Sequence, residues 1–246
     1  MIAGFGIEQA LAAFAAAFAA AYVRGLAGFG MAILLVPVLA LAMTPVEAVL
    51  VTNGVSVLVG LSDIRVTLRD AERSAWRIIA GVAIGTAPGL WLLSLTPPGF
   101  ARLLIALVAV SAFVAVLLPR RPGAMPGHLH TGATGLVSGL LTGFAGMPGP
   151  PVVPFYVGRD IPRAVAKASM LLVFIGASTI GLVSGAALGV LEPNYLVLSL
   201  LLLPAVLAGN GLGARKFGHV ADRTWRIFVA VVLGATALAA LAKLAL

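Results

Sequence analysis

Residues 24–30 read Arg24-Gly25-Leu26-Ala27-Gly28-Phe29-Gly30, and residues 142–149 read Thr142-Gly143-Phe144-Ala145-Gly146-Met147-Pro148-Gly149. Each stretch interrupts an apolar region and leads through a further apolar run to a proline, Pro37 or Pro154. In both copies a second proline follows eight residues on, Pro45 or Pro162, and a hydroxyl residue seven residues after that, Thr52 or Ser169. Glycine and proline inside an apolar run disfavour an unbroken helix. Two such interruptions in corresponding places predict paired broken helices or re-entrant hairpins in the two halves of a duplicated membrane protein.

The surrounding sequence is apolar throughout. Of 246 residues 61% are hydrophobic and only 10% charged, with a mean hydropathy of +1.12, whereas a globular domain carries about 25% charged residues. A bilayer crossing takes roughly 20 mostly apolar residues. Full-length spans are expected at Val46 to Ser62, Trp76 to Ser94, Phe100 to Leu118, Ala164 to Val190, Asn194 to Ala214 and Trp225 to Ala245. The regions Ile7 to Met43 and Thr131 to Val157 hold the two broken elements. The stretch Ile7 to Val23 lacks a positively charged leading segment and is followed by more membrane sequence, so it is expected to belong to the fold and not to a cleaved leader. Cysteine is absent, which excludes disulfides and thiolate chemistry.

The net charge of +8 reports topology and not a nucleic-acid partner. Thirteen of the sixteen basic residues fall in four short connections: Arg65, Arg69, Arg73 and Arg77; Arg120 and Arg121; Arg159, Arg163 and Lys167; Arg215, Lys216, Arg223 and Arg226. Lysine and arginine stay on the cytoplasmic side of membrane proteins. With all four connections cytoplasmic, the spans after Pro45, Trp76 and Phe100 run inward, outward and inward. Those after Ala164, Asn194 and Trp225 run outward, inward and outward. The expected fold is therefore all-α, a polytopic transmembrane bundle of two inverted-topology repeats. Each repeat is a Gly/Pro-rich broken helix or hairpin followed by three transmembrane helices. The halves fall at residues 1–118 and 132–246, with a cytoplasmic connection at 119–131, in a multi-pass protein of the cell inner membrane. In the connection Asp63 to Arg77 the arginines recur at every fourth position, which suits a helix on the membrane surface.

Substrates of inverted-repeat transporters bind near the midplane, where discontinuous helices of both halves meet. Helix breaks leave N–H groups free, and the positive end of a helix dipole favours an anion. The expected substrate-binding set is Arg24, Gly25, Gly28, Gly30, Thr52, Asn53, Gly143, Gly146, Gly149 and Ser169. For the glycines, tight helix packing is the open alternative. Arg24 stands apart from the cytoplasmic set, between an apolar run and the glycines. It reads as a substrate or gating residue, or as an interfacial anchor reaching the headgroups. Thr52 and Asn53 suit substrate contact or interhelical hydrogen bonding equally. Lys167 suits a cytoplasmic entrance or one more topology charge. Glu47 follows Thr44 and Pro45, so it reads as a helix cap, with proton coupling as the alternative.

Catalysis finds no support. The histidines His128, His130 and His219 fall in connections, and no His-Glu-x-x-His pair, nucleophile elbow or phosphate loop appears. No enzyme activity, cofactor or metal is expected.

The first element, running to Pro37 and then Pro45-Val46-Glu47-Ala48, and the second, Gly139-Leu140-Leu141 through Gly149-Pro150-Pro151, resemble the sulfite exporter TauE/SafE family over nearly the whole chain. One departure is Gly28-Phe29-Gly30-Met31, where members often have a denser glycine run. The resemblance implies a permease for small sulfur-containing anions such as sulfite or organosulfonates, working in the lipid bilayer. It leaves export against uptake, and a homo-oligomer, open. An inside-negative potential would help expel an anion, by about 2.3 kcal/mol per charge per 100 mV. The scarcity of carboxylates in the spans therefore favours export. A carrier of another small anion or metabolite, or a membrane scaffold without transport, are the alternatives.

Overall fold

The computed structural model describes residues 7–117, 127–157 and 159–215. The expected span Trp225 to Ala245, the basic residues Arg120, Arg121, Lys216, Arg223 and Arg226, and His219 lie outside the described residues. Among the described residues ten α-helices follow one another: α1 (Ile7–Ala27), α2 (Met31–Ala42), α3 (Pro45–Ser62), α4 (Ile64–Asp70), α5 (Arg73–Leu95), α6 (Pro98–Leu117), α7 (His128–Ala145), α8 (Gly149–Val157), α9 (Arg163–Ala187) and α10 (Pro193–Arg215). Of these, α3, α5, α9 and α10 are long and apolar enough to cross a membrane. The chain is thus a polytopic helical membrane bundle. The arginine-bearing connection after Asp63 folds in part as the short α4, with Arg65 and Arg69 exposed and Thr67 buried.

Local chemistry explains where the helices start and stop. At α3 the Glu47 N–H donates to Thr44 Oγ1 at 3.3 Å, and the Thr44 N–H donates to Glu47 Oε2 at 2.8 Å. This reciprocal cap, with Pro45 at the first position, satisfies donors that a helix start leaves orphaned. Helix α7 ends at Gly146, whose φ of 65° is left-handed. There the Gly146 and Met147 N–H groups bond back to the Thr142 and Leu141 carbonyls, a closure that glycine adopts without a Cβ clash. Pro148 follows and cannot continue the helix. Helix α1 likewise stops at a left-handed glycine, Gly28 with φ 79°, whose N–H bonds back to the Arg24 carbonyl.

Two ends of the bundle are distinct. At the basic end lie Asp63, Glu72 and Arg159; at the other lie Glu47, Tyr195 and Arg102. Arg102 of α6 donates to the Ala40 and Met43 carbonyls, at 2.6 and 3.4 Å, and so closes the end of α2. The α1–α2 pair enters from this second end and the α7–α8 pair from the basic end. With twelve residues in α2 and nine in α8, the returning arms are only about 18 and 14 Å long. A hydrocarbon core is about 30 Å thick, so both tips turn within it.

Glycine sets how closely the helices approach. Gly81, Gly85 and Gly89 of α5 face Gly135, Gly139 and Gly143 of α7, and a Cβ added at any of them would collide with the partner's backbone. Gly25 of α1 meets Gly213 and its neighbours in α10 in the same way, and Gly209 meets Phe18 and Tyr22. Removing side chains lets backbones make direct van der Waals contact, which is a main source of helix association in lipid. At the centre α3 and α9 run antiparallel, with Leu50 opposite Gly185, Asn53 opposite Gly181 and Gly60 opposite Ile175.

Candidate functional site

The tips of the two opposed hairpins meet around a cavity of about 50 Å3. That is several times the roughly 10–15 Å3 needed by one water, and is room for a small ion. The α1–α2 tip contributes Phe29, Gly30, Met31, Ala32 and Ile33, and the α7–α8 tip contributes Met147, Pro148 and Gly149. Ser56 of α3, with Phe174 and Ser178 of α9, forms the remaining wall together with Arg24. The tips are not equivalent as hydrogen-bond donors. Helix α2 begins Met31-Ala32-Ile33, and the N–H groups of a first helical turn have no partner within their own helix. Helix α8 begins Gly149-Pro150-Pro151, where two residues have no N–H to offer. The positive helix end at this cavity is therefore chiefly that of α2. On the α8 side Ser138 Oγ donates to the Pro148 carbonyl at 2.8 Å, which holds the proline tip in place.

Arg24 also lines a second, larger cleft of about 240 Å3 at the basic end, shared with Gly28, Asp63, Asp70, Lys167 and Asn210. Arg24 is thus common to the linings of cleft and cavity, and its guanidinium is held by residues of the cleft. Nη1 donates to Asn210 Oδ1 at 2.8 Å, and Nη2 lies 3.7 Å from Asp63 Oδ2. The Arg24 side chain is 8% exposed, against 45% for Asp63. A buried guanidinium needs acceptors of this kind, because leaving one unpaired away from water is costly.

The other residues expected at the site fall into three groups. Gly30 and Gly149 line the cavity, and Gly28 lines the cleft, where an added Cβ would meet the aliphatic part of Lys167. Gly25 lines the cleft as well as the α1–α10 contact, Gly143 lies in the α5–α7 contact, and Gly146 packs on Val36 and Val49. Thr52, Asn53 and Ser169 are buried away from the cavity wall. Ser169 Oγ accepts from the Glu72 N–H at 2.9 Å. Thr52 Oγ1 and both polar atoms of the Asn53 side chain have no hydrogen-bond partner, though Asn53 lies one turn from Ser56 on the same helix.

At the basic end, Arg159 grips Glu72 through two hydrogen bonds of 2.7 and 3.1 Å. Ser74 bonds both Glu72 and Tyr156, each at 2.9 Å, and Arg159 stacks 5.5 Å from the Phe155 ring centre. This clasp ties the end of α8 to the start of α5. In the sequence Arg159 stands out only as a topology charge, and Ser56, Ser178, Asp63 and Asn210 belong to no motif. A polar side chain in an otherwise apolar span was the signal available for Asn210.

The architecture defines a class: a multi-pass membrane protein with a solute-sized chamber between opposed broken helices. The family model for the sulfite exporter TauE/SafE family matches residues 13–240, and the chain belongs to that family. A curated protein from Cupriavidus necator, described as a probable sulfite/organosulfonate exporter TauE, is 26% identical over 231 residues, 89% of each chain. No solved structure matches this chain.

Proposed function

We propose that the protein carries a small sulfur oxyanion or organosulfonate out of the cell across the inner membrane, with the basic end cytoplasmic. The observation that carries this proposal is the chamber where both hairpin tips meet beside Arg24. A small oxyanion is recognised by backbone N–H groups at a helix start and by a planar guanidinium, and the start of α2 and Arg24 supply both. The family membership and the description of the Cupriavidus relative support the same substrate class. The remaining members of the expected set, Thr52, Asn53 and Ser169 among them, are assigned to substrate contact at other stages of the cycle.

The carrier works by alternating access between two inverted repeats, residues 1–118 and 132–246 joined by 119–131. Repeated contacts support this. If α1 corresponds to α7 and α5 to α10, the glycine-packed pairs α1–α10 and α5–α7 are one contact made twice. The central pair α3 and α9 then correspond to each other. Inside-negative voltage drives a bound anion outward, so export needs no coupling ion.

The test is flux of radiolabelled sulfite, thiosulfate and a small sulfonate in liposomes holding the purified protein, with and without voltage and pH gradients. Saturable, voltage-driven flux of one anion, abolished in Arg24→Gln, is expected. Absence of flux for all three from folded protein would reject the proposal.

A further inference from the structure

We propose that Asp63 is a resident competitor for the transported anion at Arg24, setting how tightly the basic-end cleft holds its substrate and how readily it lets go. This rests on the carrier function proposed above and adds a residue to it. Arg24 lines both the 50 Å3 chamber and the 240 Å3 cleft, and its guanidinium is held by Asn210 and Asp63 of the cleft, so an anion in the cleft meets that group. Two different partners hold that group. Asn210 is neutral and bonds at 2.8 Å, which orients Nη1 without neutralising the charge. Asp63 supplies the opposite charge, but from 3.7 Å and with nearly half of its side chain exposed.

The carboxylate has no helix-capping duty to keep it in place. Asp63 joins α3 to α4 through its backbone, the Asp63 N–H bonding to the Gly60 carbonyl and the Thr67 N–H to the Asp63 carbonyl. Its side chain makes no cap bond at α4. The other acid of the cleft, Asp70, is engaged by Arg69 through hydrogen bonds of 2.7 and 3.1 Å. Asp63 is thus the acid placed to be displaced.

A carboxylate and a sulfur oxyanion present a guanidinium with the same thing, negative oxygens at hydrogen-bonding distance. Substitution of one for the other keeps the buried charge of Arg24 compensated throughout, where simple departure of the substrate would leave it exposed to an apolar surrounding. A carrier also needs its substrate held weakly enough to leave. Binding that must first displace Asp63 is weakened by the free energy of that ion pair, and release is helped by its return.

The experiment uses the full-length protein in nanodiscs and compares wild type, Asp63→Asn, Asp63→Ser and Asp63→Glu. Sulfite, thiosulfate and a small sulfonate are titrated by calorimetry, and flux is measured in liposomes. Loss of the carboxylate is expected to tighten binding about tenfold and to lower KM, while maximal flux falls because release slows. Asp63→Glu is expected to restore values close to wild type, which a merely structural role would not require. Two neutral replacements guard against one failing to fold. Affinity that is unchanged or weaker in the folded neutral variants, with wild-type binding intact, would overturn the competitor role and leave the carrier standing. No binding and no flux in wild type and variants alike would overturn both.

Discussion

Arg24 and Asn210 stand 186 residues apart in sequence and 2.8 Å apart in the structure, the Arg24 Nη1 donating to the Asn210 side-chain oxygen. The contact exists because Gly25 and Gly213 let α1 and α10 approach until their backbones touch. At that separation a side chain of α10 can aim a buried cation of α1. The guanidinium is therefore positioned and charge-compensated by different residues, Asn210 for the first and Asp63 for the second.

Replacing Asn210 by leucine removes the acceptor and frees the guanidinium to turn. A hydrogen bond to a charged group contributes roughly 1.5–3 kcal/mol, so half-saturation for the transported anion should rise by about tenfold or more. Concentration-dependent flux in liposomes measures it. An unchanged half-saturation would mean that Asn210 does not position Arg24 for the anion.

The glycines of the α5–α7 contact separate packing from helix propensity. Gly139→Val would drive its side chain into the Val82 carbonyl and the Gly85 α-carbon, and overpacking of this kind costs about 1–3 kcal/mol or more. Gly132 lies on the same helix with open space beside it. Gly132→Ala should stabilise by up to about 1 kcal/mol, the usual difference in helix propensity. Thermal unfolding in detergent should show Tm lowered by the first substitution and kept or raised by the second. Equal effects would contradict the close α5–α7 approach.

Asn53 is buried with both side-chain polar atoms unpartnered, a cost of roughly 1–3 kcal/mol for each unsatisfied group. Asn53→Leu, similar in size, should therefore leave Tm unchanged or raise it while reducing anion flux severalfold, because the amide finds its partner in another conformation of the cycle. Paired Tm and flux measurements decide this. A clear loss of stability would show the amide already satisfied in the present one.

Much of the fold is legible without coordinates because it depends on local chemistry. The helix breaks at Gly28 and Gly146 fall in the quoted glycine stretches, and both residues take left-handed φ values that glycine tolerates best. Thr44, Pro45 and Glu47 form the cap that their order implies. What the two hairpin regions left undecided, hairpin or paired spans, resolves into one long arm and one short arm in each, since α2 and α8 are too short to cross. The site is less legible. Thr52 and Asn53 share a helix with the chamber wall, but Ser56, one turn further along, is the residue that reaches it.

The sequence by itself determined membrane residence, the positions of the breaks and the family, because apolar length and backbone conformation are properties of short stretches. Only the tertiary structure decided which helix faces touch and hence which residues meet at Arg24. The reason lies in the solvent. Lipid is as apolar as the protein interior, so hydrophobicity does not mark the inward face of a span. Leu202 of α10 is fully buried and Leu200 largely exposed, and nothing in two leucines distinguishes them. Close approach through glycine, from segments far apart in the chain, makes that distinction and brings Asn210 to the arginine.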